Sequence, residues 1–80
     1  MIFMPSKLKF IFVKLNKRDI AYFQFILEGY EGLVTATTIN KKDAVVKLFI
    51  MPSFYDDVKM ILRELRKEIA FDEIDYFESR

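Results

Sequence analysis

The chain has no cysteine, no histidine and no tryptophan, and in 80 residues only two glycines and two prolines. Without cysteine there is no disulfide framework, thiolate zinc site, iron–sulfur cluster or cysteine nucleophile. Without histidine the usual general base near neutral pH and the commonest metal ligand are missing as well. Neither charge sign dominates: 13 Lys plus Arg stand against 12 Asp plus Glu, a net charge of +1, whereas dedicated nucleic-acid domains usually carry a more basic balance. The longest apolar runs fall far short of the ~18 residues of a membrane-spanning helix, so no membrane partner is expected. The opening MIFMPSKLKF places apolar residues before its lysines. It lacks both the h-region of ~7 to 15 residues and the small-residue cleavage site of a secretion signal, and a cytoplasmic location is expected.

What is present is hydrophobic. Apolar residues make up 52% of the chain, with nine Phe and four Tyr, which excludes disorder by composition. The length allows one core, so residues 1–80 read as a single domain, with 1–6 a flexible or accessory N-terminal extension. A chain this short buries only about 60% of its unfolded surface, which makes association between copies an early expectation. The net charge hides a gradient: residues 1–20 hold five basic side chains against Asp19 alone, whereas the last twenty are net acidic.

Residues 8–15, LKFIFVKL, are rich in β-branched and aromatic side chains and predict a strand. Leu8, Phe10 and Phe12 fall on one face and Ile11, Val13 and Leu15 on the other, so both faces are apolar and the strand is expected to be central. Asn16 is placed to cap a helix whose apolar stripe is Ile20, Phe23, Leu27 and Tyr30, running to about Gly29. Gly29 and Gly32 sit where that helix stops and the chain reverses. LVTATTI, 33–39, and AVVKLFIM, 44–51, predict two strands that the short NKKD turn joins as an antiparallel hairpin. Pro52 ends the third strand, and Ser53 is placed to cap a second helix with Asp56 and Asp57 in its first turn. Val58, Leu62, Leu65 and Ile69, flanked by Ile61, form the stripe of that helix. In the tail from Phe71 to Arg80, IDYFE at 74–78 reads as a short edge strand, with an irregular acidic cover as the alternative. The order β-α-β-β-α(-β) is that of an α+β ferredoxin-like two-layer sandwich, an antiparallel sheet with two helices on one face and the first and third strands in the middle.

DIAYFQFILEGYEGLVTATTI, 19–39, and VVKLFIMPSFYDDVKMILREL, 45–65, resemble a small prokaryotic family catalogued as a domain of unknown function, number 4911. FILEGYEGL, 25–33, is the most specific piece. The resemblance covers about half the chain and implies a compact α+β domain; with no activity assigned to the family, it points to no particular residues as catalytic.

No motif carries chemistry. Gly29 and Gly32 allow an anion loop in principle, but an anion prefers a helix N-terminus, and Glu28 and Glu31 repel it. Ser53 has no base placed beside it by any motif, so capping accounts for it better than nucleophilic catalysis. Asp56 and Asp57 suit a helix first turn whether or not they bind a metal. No catalytic residue, metal ligand or cofactor is therefore expected, and the chain reads as a non-enzyme.

The more informative constellation is the sheet face away from the helices. It is expected to show Phe10, Phe12, Thr35, Thr37, Val45, Lys47 and Phe49, whereas a one-sided antiparallel sheet would alternate to polar residues there. Three phenylalanines at ~150–250 Å² each exceed what a monomer commonly leaves wet. The expectation is a non-catalytic interaction or regulatory module that self-associates, as a homodimer, through Phe10, Phe12, Lys47 and Phe49. An unidentified protein partner is a second candidate, and the N-terminal IFM segment folding back over the face is a third. IFVKLN, 11–16, also resembles the first-strand motif of RNA-recognition domains, with Phe12 at a base-stacking position, but the third strand supplies only Lys47 and Phe49 of the second motif. RNA or single-stranded nucleic-acid binding is accordingly an alternative, as is small-metabolite sensing at a dimer seam, as in the similarly folded ACT domains.

Overall fold

In a computed structural model of the chain, which describes residues 9–30 and 32–76, four strands and two helices follow one another as β-α-β-β-α-β. They are β1 (Lys9–Leu15), α1 (Ile20–Glu28), β2 (Val34–Asn40), β3 (Val45–Ile50), α2 (Tyr55–Leu65) and β4 (Phe71–Ile74). The sheet order is β2-β3-β1-β4 and every neighbouring pair is antiparallel, the arrangement of the ferredoxin-like sandwich. The doubly apolar β1 is central, between β3 and β4. The last strand is present but falls at Phe71–Ile74, earlier than the expected IDYFE, of which Asp75 and Tyr76 follow the strand and 77–78 lie outside the described residues. The extension at 1–6, together with Leu8, lies outside the described residues.

The core forms where the apolar stripes meet. Val13, Val46, Leu48 and Ile50 from one face of the sheet pack with Phe23 and Leu27 of α1 and Val58, Leu62 and Leu65 of α2. Among the described residues no polar or charged side chain is buried. Phe71 of β4 meets Phe23 edge-on, with ring centroids 5.2 Å apart. Tyr30, placed by sequence on the buried stripe of α1, is instead 41% exposed, because the helix ends at Glu28 and the turn carries Tyr30 off that face.

Two expected caps are corrected. Asn16 precedes a single 3-10 turn, Lys17–Asp19, and its side chain makes no capping hydrogen bond; its backbone carbonyl accepts from the Asp19 amide at 2.9 Å instead. Ser53 lies inside another 3-10 turn, Pro52–Phe54, so the residue in the N-cap position of α2 is Phe54, and no side chain caps that helix. Proline at the first position already has the helical φ and no amide to satisfy, and the Phe54 amide donates to the Met51 carbonyl at 2.9 Å. Ser53→Ala is therefore expected to change stability by less than about 0.5 kcal/mol in urea denaturation, not by the ~1 kcal/mol typical of a lost cap.

The two glycines divide their roles. Gly29 remains right-handed at φ −68° as the C-cap of α1. Gly32 has φ +100° with no atom within 4 Å of where a Cβ would stand, so a side chain there meets conformational strain alone. Gly32→Asn is expected to be mild and Gly32→Val to cost more than about 1–2 kcal/mol. Equal thermal midpoints for the two variants would contradict this role. The other left-handed residue described is Ala44, at φ 57°, which closes the hairpin; there the Asp43 amide donates to Asn40 Oδ1 at 2.9 Å.

Candidate interface on the open sheet face

Strand alternation and register place the candidate residues together. Phe10 pairs with Phe49, Phe12 with Lys47 and Lys14 with Val45 across β1 and β3, while β2 sets Thr35 opposite Phe49 and Thr37 opposite Lys47. All four side chains singled out by sequence, Phe10, Phe12, Lys47 and Phe49, form one cluster. The Phe10 ring lies 5.6 Å from Phe12, edge-on, and 6.1 Å from Phe49. The Lys47 ammonium stands 4.5 Å from the Phe10 centroid, 4.7 Å from Phe49 and 5.5 Å from Phe12. Each ring presents the negative face of its quadrupole to a cation in this range, so the lysine at the centre of the face is attracted to the apolar groups around it. Phe12 and Phe49 are half-buried by the packing, and Phe10 is 51% exposed.

One corner of the face is closed from within the chain. Tyr76, two residues beyond β4, packs on Phe12 with centroids 5.6 Å apart. Its hydroxyl accepts a 2.8 Å hydrogen bond from Asn40 Nδ2 at the end of β2. The side chain thus reaches across the sheet from one edge strand to the other. Val45, in register between Lys14 and Asn40, is 1% exposed, which corrects its assignment to the open part of the face. The Lys14 ammonium donates to the Asp43 carbonyl at 2.5 Å and is drawn toward the hairpin. Sequence reasoning missed Tyr76 and Asn40. The period-two pair Ile74 and Tyr76 was the available signal for the first, since Ile74 sits opposite Phe12.

The remaining candidates do not converge on a reactive site. Around Gly29 and Gly32 the backbone amides serve the chain itself: Gly29, Tyr30 and Leu33 donate to the carbonyls of Ile26, Leu27 and Tyr30 at 2.9–3.1 Å. Those donors are therefore not presented to an anion, and Glu31 lies outside the described residues. Asp56 and Asp57 are both exposed in the first turn of α2, where the helix dipole favours them. Among the described residues no group of three or more carboxylates is placed to hold a metal ion. On the helix face of the sheet, Glu73 receives Lys59 at 2.7 Å and Arg66 at 3.5 Å, a partly exposed network that ties β4 to α2.

Among the described residues one ionisable group is shifted. The Tyr22 hydroxyl of α1 donates a 2.6 Å hydrogen bond to Glu68 Oε1 beyond α2, and that bond, with desolvation and the carboxylate charge, raises its pKa above the ordinary value of 10.0. A raised phenol pKa favours the protonated folded form, so this contribution to stability is complete below the unfolded value and disappears as pH rises through the folded one. In a near-ultraviolet titration one tyrosine is expected to ionise late, and Tyr22→Phe should remove that late step. Survival of the step in the variant would contradict the assignment.

A family model described as "Domain of unknown function (DUF4911)" matches residues 13–69. The match includes β1 from Val13, both helices and the β2–β3 hairpin, and stops before β4. No curated protein and no solved structure matches the chain.

Proposed function

The chain belongs to that family of unknown function, and from this premise we propose that it is a non-catalytic interaction module that self-associates through the open face of its sheet. The observation that carries the reading is the cluster of Phe10, Phe12 and Phe49 about Lys47, on a face that in a solvated antiparallel sheet would alternate to polar residues. Covering such a face with a second copy removes apolar area from water at ~25 cal/mol per Å². It also supplies the burial that a short chain lacks. The pattern is self-complementary in kind: the aromatic rings on each copy offer apolar area to the rings of the other.

A second reading rests on the same lysine. Aromatics interleaved with a cation also form a platform for single-stranded nucleic acid. Tyr76 weighs against it, because its ring already packs on Phe12, the position at which a base would stack. Metabolite sensing at the dimer seam is a variant of the first reading and needs the dimer to form. Light scattering over a dilution series, with a salt titration against a mixed single-stranded RNA pool, separates the two. Self-association gives a mass that falls on dilution and no RNA affinity. A nucleic-acid platform gives a constant monomer mass and an affinity that drops steeply with salt.

A further inference from the structure

Among the described residues, the side of the molecule away from the open sheet face carries a second exposed apolar surface. Of the nine residues of α1, IAYFQFILE, only Phe23 and Leu27 are buried, yet the helix is apolar nearly all round, a composition expected of a helix covered on several sides. Its outward side shows Phe25, 69% exposed, with Tyr22; the turn after the helix adds Tyr30, and α2 adds Met60, 61% exposed. Between the helices lies a shallow groove of about 310 Å³ whose lining includes Ile26, Tyr30, Met60, Ile61 and Leu65. It continues past Ile26 and Tyr30 to Phe25 and Glu28.

The charges around this groove select its occupant. Glu64 and Glu68 line it, Glu28 stands at its α1 end, and Asp57 lies two helical turns before Glu64 on the same side of α2. Lys67 answers Glu64 at 3.2 Å, and Glu68 is held by the neutral Tyr22 hydroxyl, so the carboxylates outnumber the one lysine bonded there. A second copy laid on this surface would set carboxylate against carboxylate, which disfavours self-pairing. We infer that the groove between α1 and α2 docks a helix of a different protein, apolar along one face and flanked by Lys or Arg, with Phe25, Tyr30 and Met60 as the knobs between which its anchors fit. The two faces then have separate roles, one joining copies and one receiving the partner.

The probe is a labelled synthetic helix-forming peptide with Leu at i, i+3, i+4 and i+7 and Lys on both flanks, measured by fluorescence anisotropy on the full chain. Its control is the same peptide with Glu for every Lys. The Lys-flanked peptide is expected to bind and the Glu-flanked one is not. Affinity should fall at least about tenfold in Phe25→Ser and in Met60→Ser, fall in Glu64→Gln/Glu68→Gln, and remain unchanged in Phe12→Ser on the opposite face. Phe25 and Met60 are exposed, so their variants should keep the wild-type circular dichroism. Absence of binding, equal binding of both peptides, or full affinity in Phe25→Ser would overturn the inference. A reduced molar mass for Phe25→Ser would overturn it too, by assigning the surface to a second copy.

Discussion

Phe12→Ser/Phe49→Ser is expected to give a monomer that still folds, whereas the wild-type chain, under the proposed function, self-associates. The two rings are half-buried, and each fully buried phenylalanine carries ~150–250 Å², so their loss from both copies removes several kcal/mol of interface at ~25 cal/mol per Å². The same change breaks ring pairs within the copy, Phe12 with Phe10 and Tyr76 and Phe49 with Phe10, at about 0.5–1.5 kcal/mol per pair. The core is on the other side of the sheet, so the far-ultraviolet circular dichroism should be retained while the thermal midpoint drops. Sedimentation velocity beside circular dichroism reads both. An unchanged association state in a folded double variant would remove the open face from the interface.

Phe23→Ala is expected to have the largest effect on stability. Phe23 has no exposed surface and joins α1 to β4 through the edge-on contact with Phe71. Truncating a buried phenylalanine costs about 3–5 kcal/mol, against a total stability of roughly 0.05–0.15 kcal/mol per residue, so a large fraction of the variant should unfold near room temperature. Phe25→Ala, two residues along the same helix and 69% exposed in the wild type, is the internal control and should change stability little. Similar urea midpoints for the two variants would contradict the orientation of α1 on the sheet.

The sheet was legible because β1 and β3 are rich in β-branched and aromatic residues and, with side chains alternating between the two faces, are largely apolar on both, as central strands are. The hairpin followed from the NKKD turn, and the stripe Val58, Leu62, Leu65, Ile69 fixed the buried side of α2. The cluster of Phe10, Phe12, Lys47 and Phe49 followed from the same alternation, since strand register decides which side chains share a face. Helix starts were less legible. Ser53 and Asn16 are good capping residues by type, but Pro52 and the 3-10 turns set the entry geometry without using either side chain. Tyr76 was missed because its role depends on a contact with Asn40, 36 residues away, and no local pattern encodes that. The exposed side of α1 was hidden for a related reason: an all-round apolar helix gives no sign of which residues its neighbours leave uncovered.

The molar mass of the full chain in solution, followed by sedimentation equilibrium over a wide concentration range, tests self-association most directly. The expected result is a reversible association toward twice 9.6 kDa, lost in Phe12→Ser/Phe49→Ser at the same concentrations. A mass of 9.6 kDa at every concentration would contradict it.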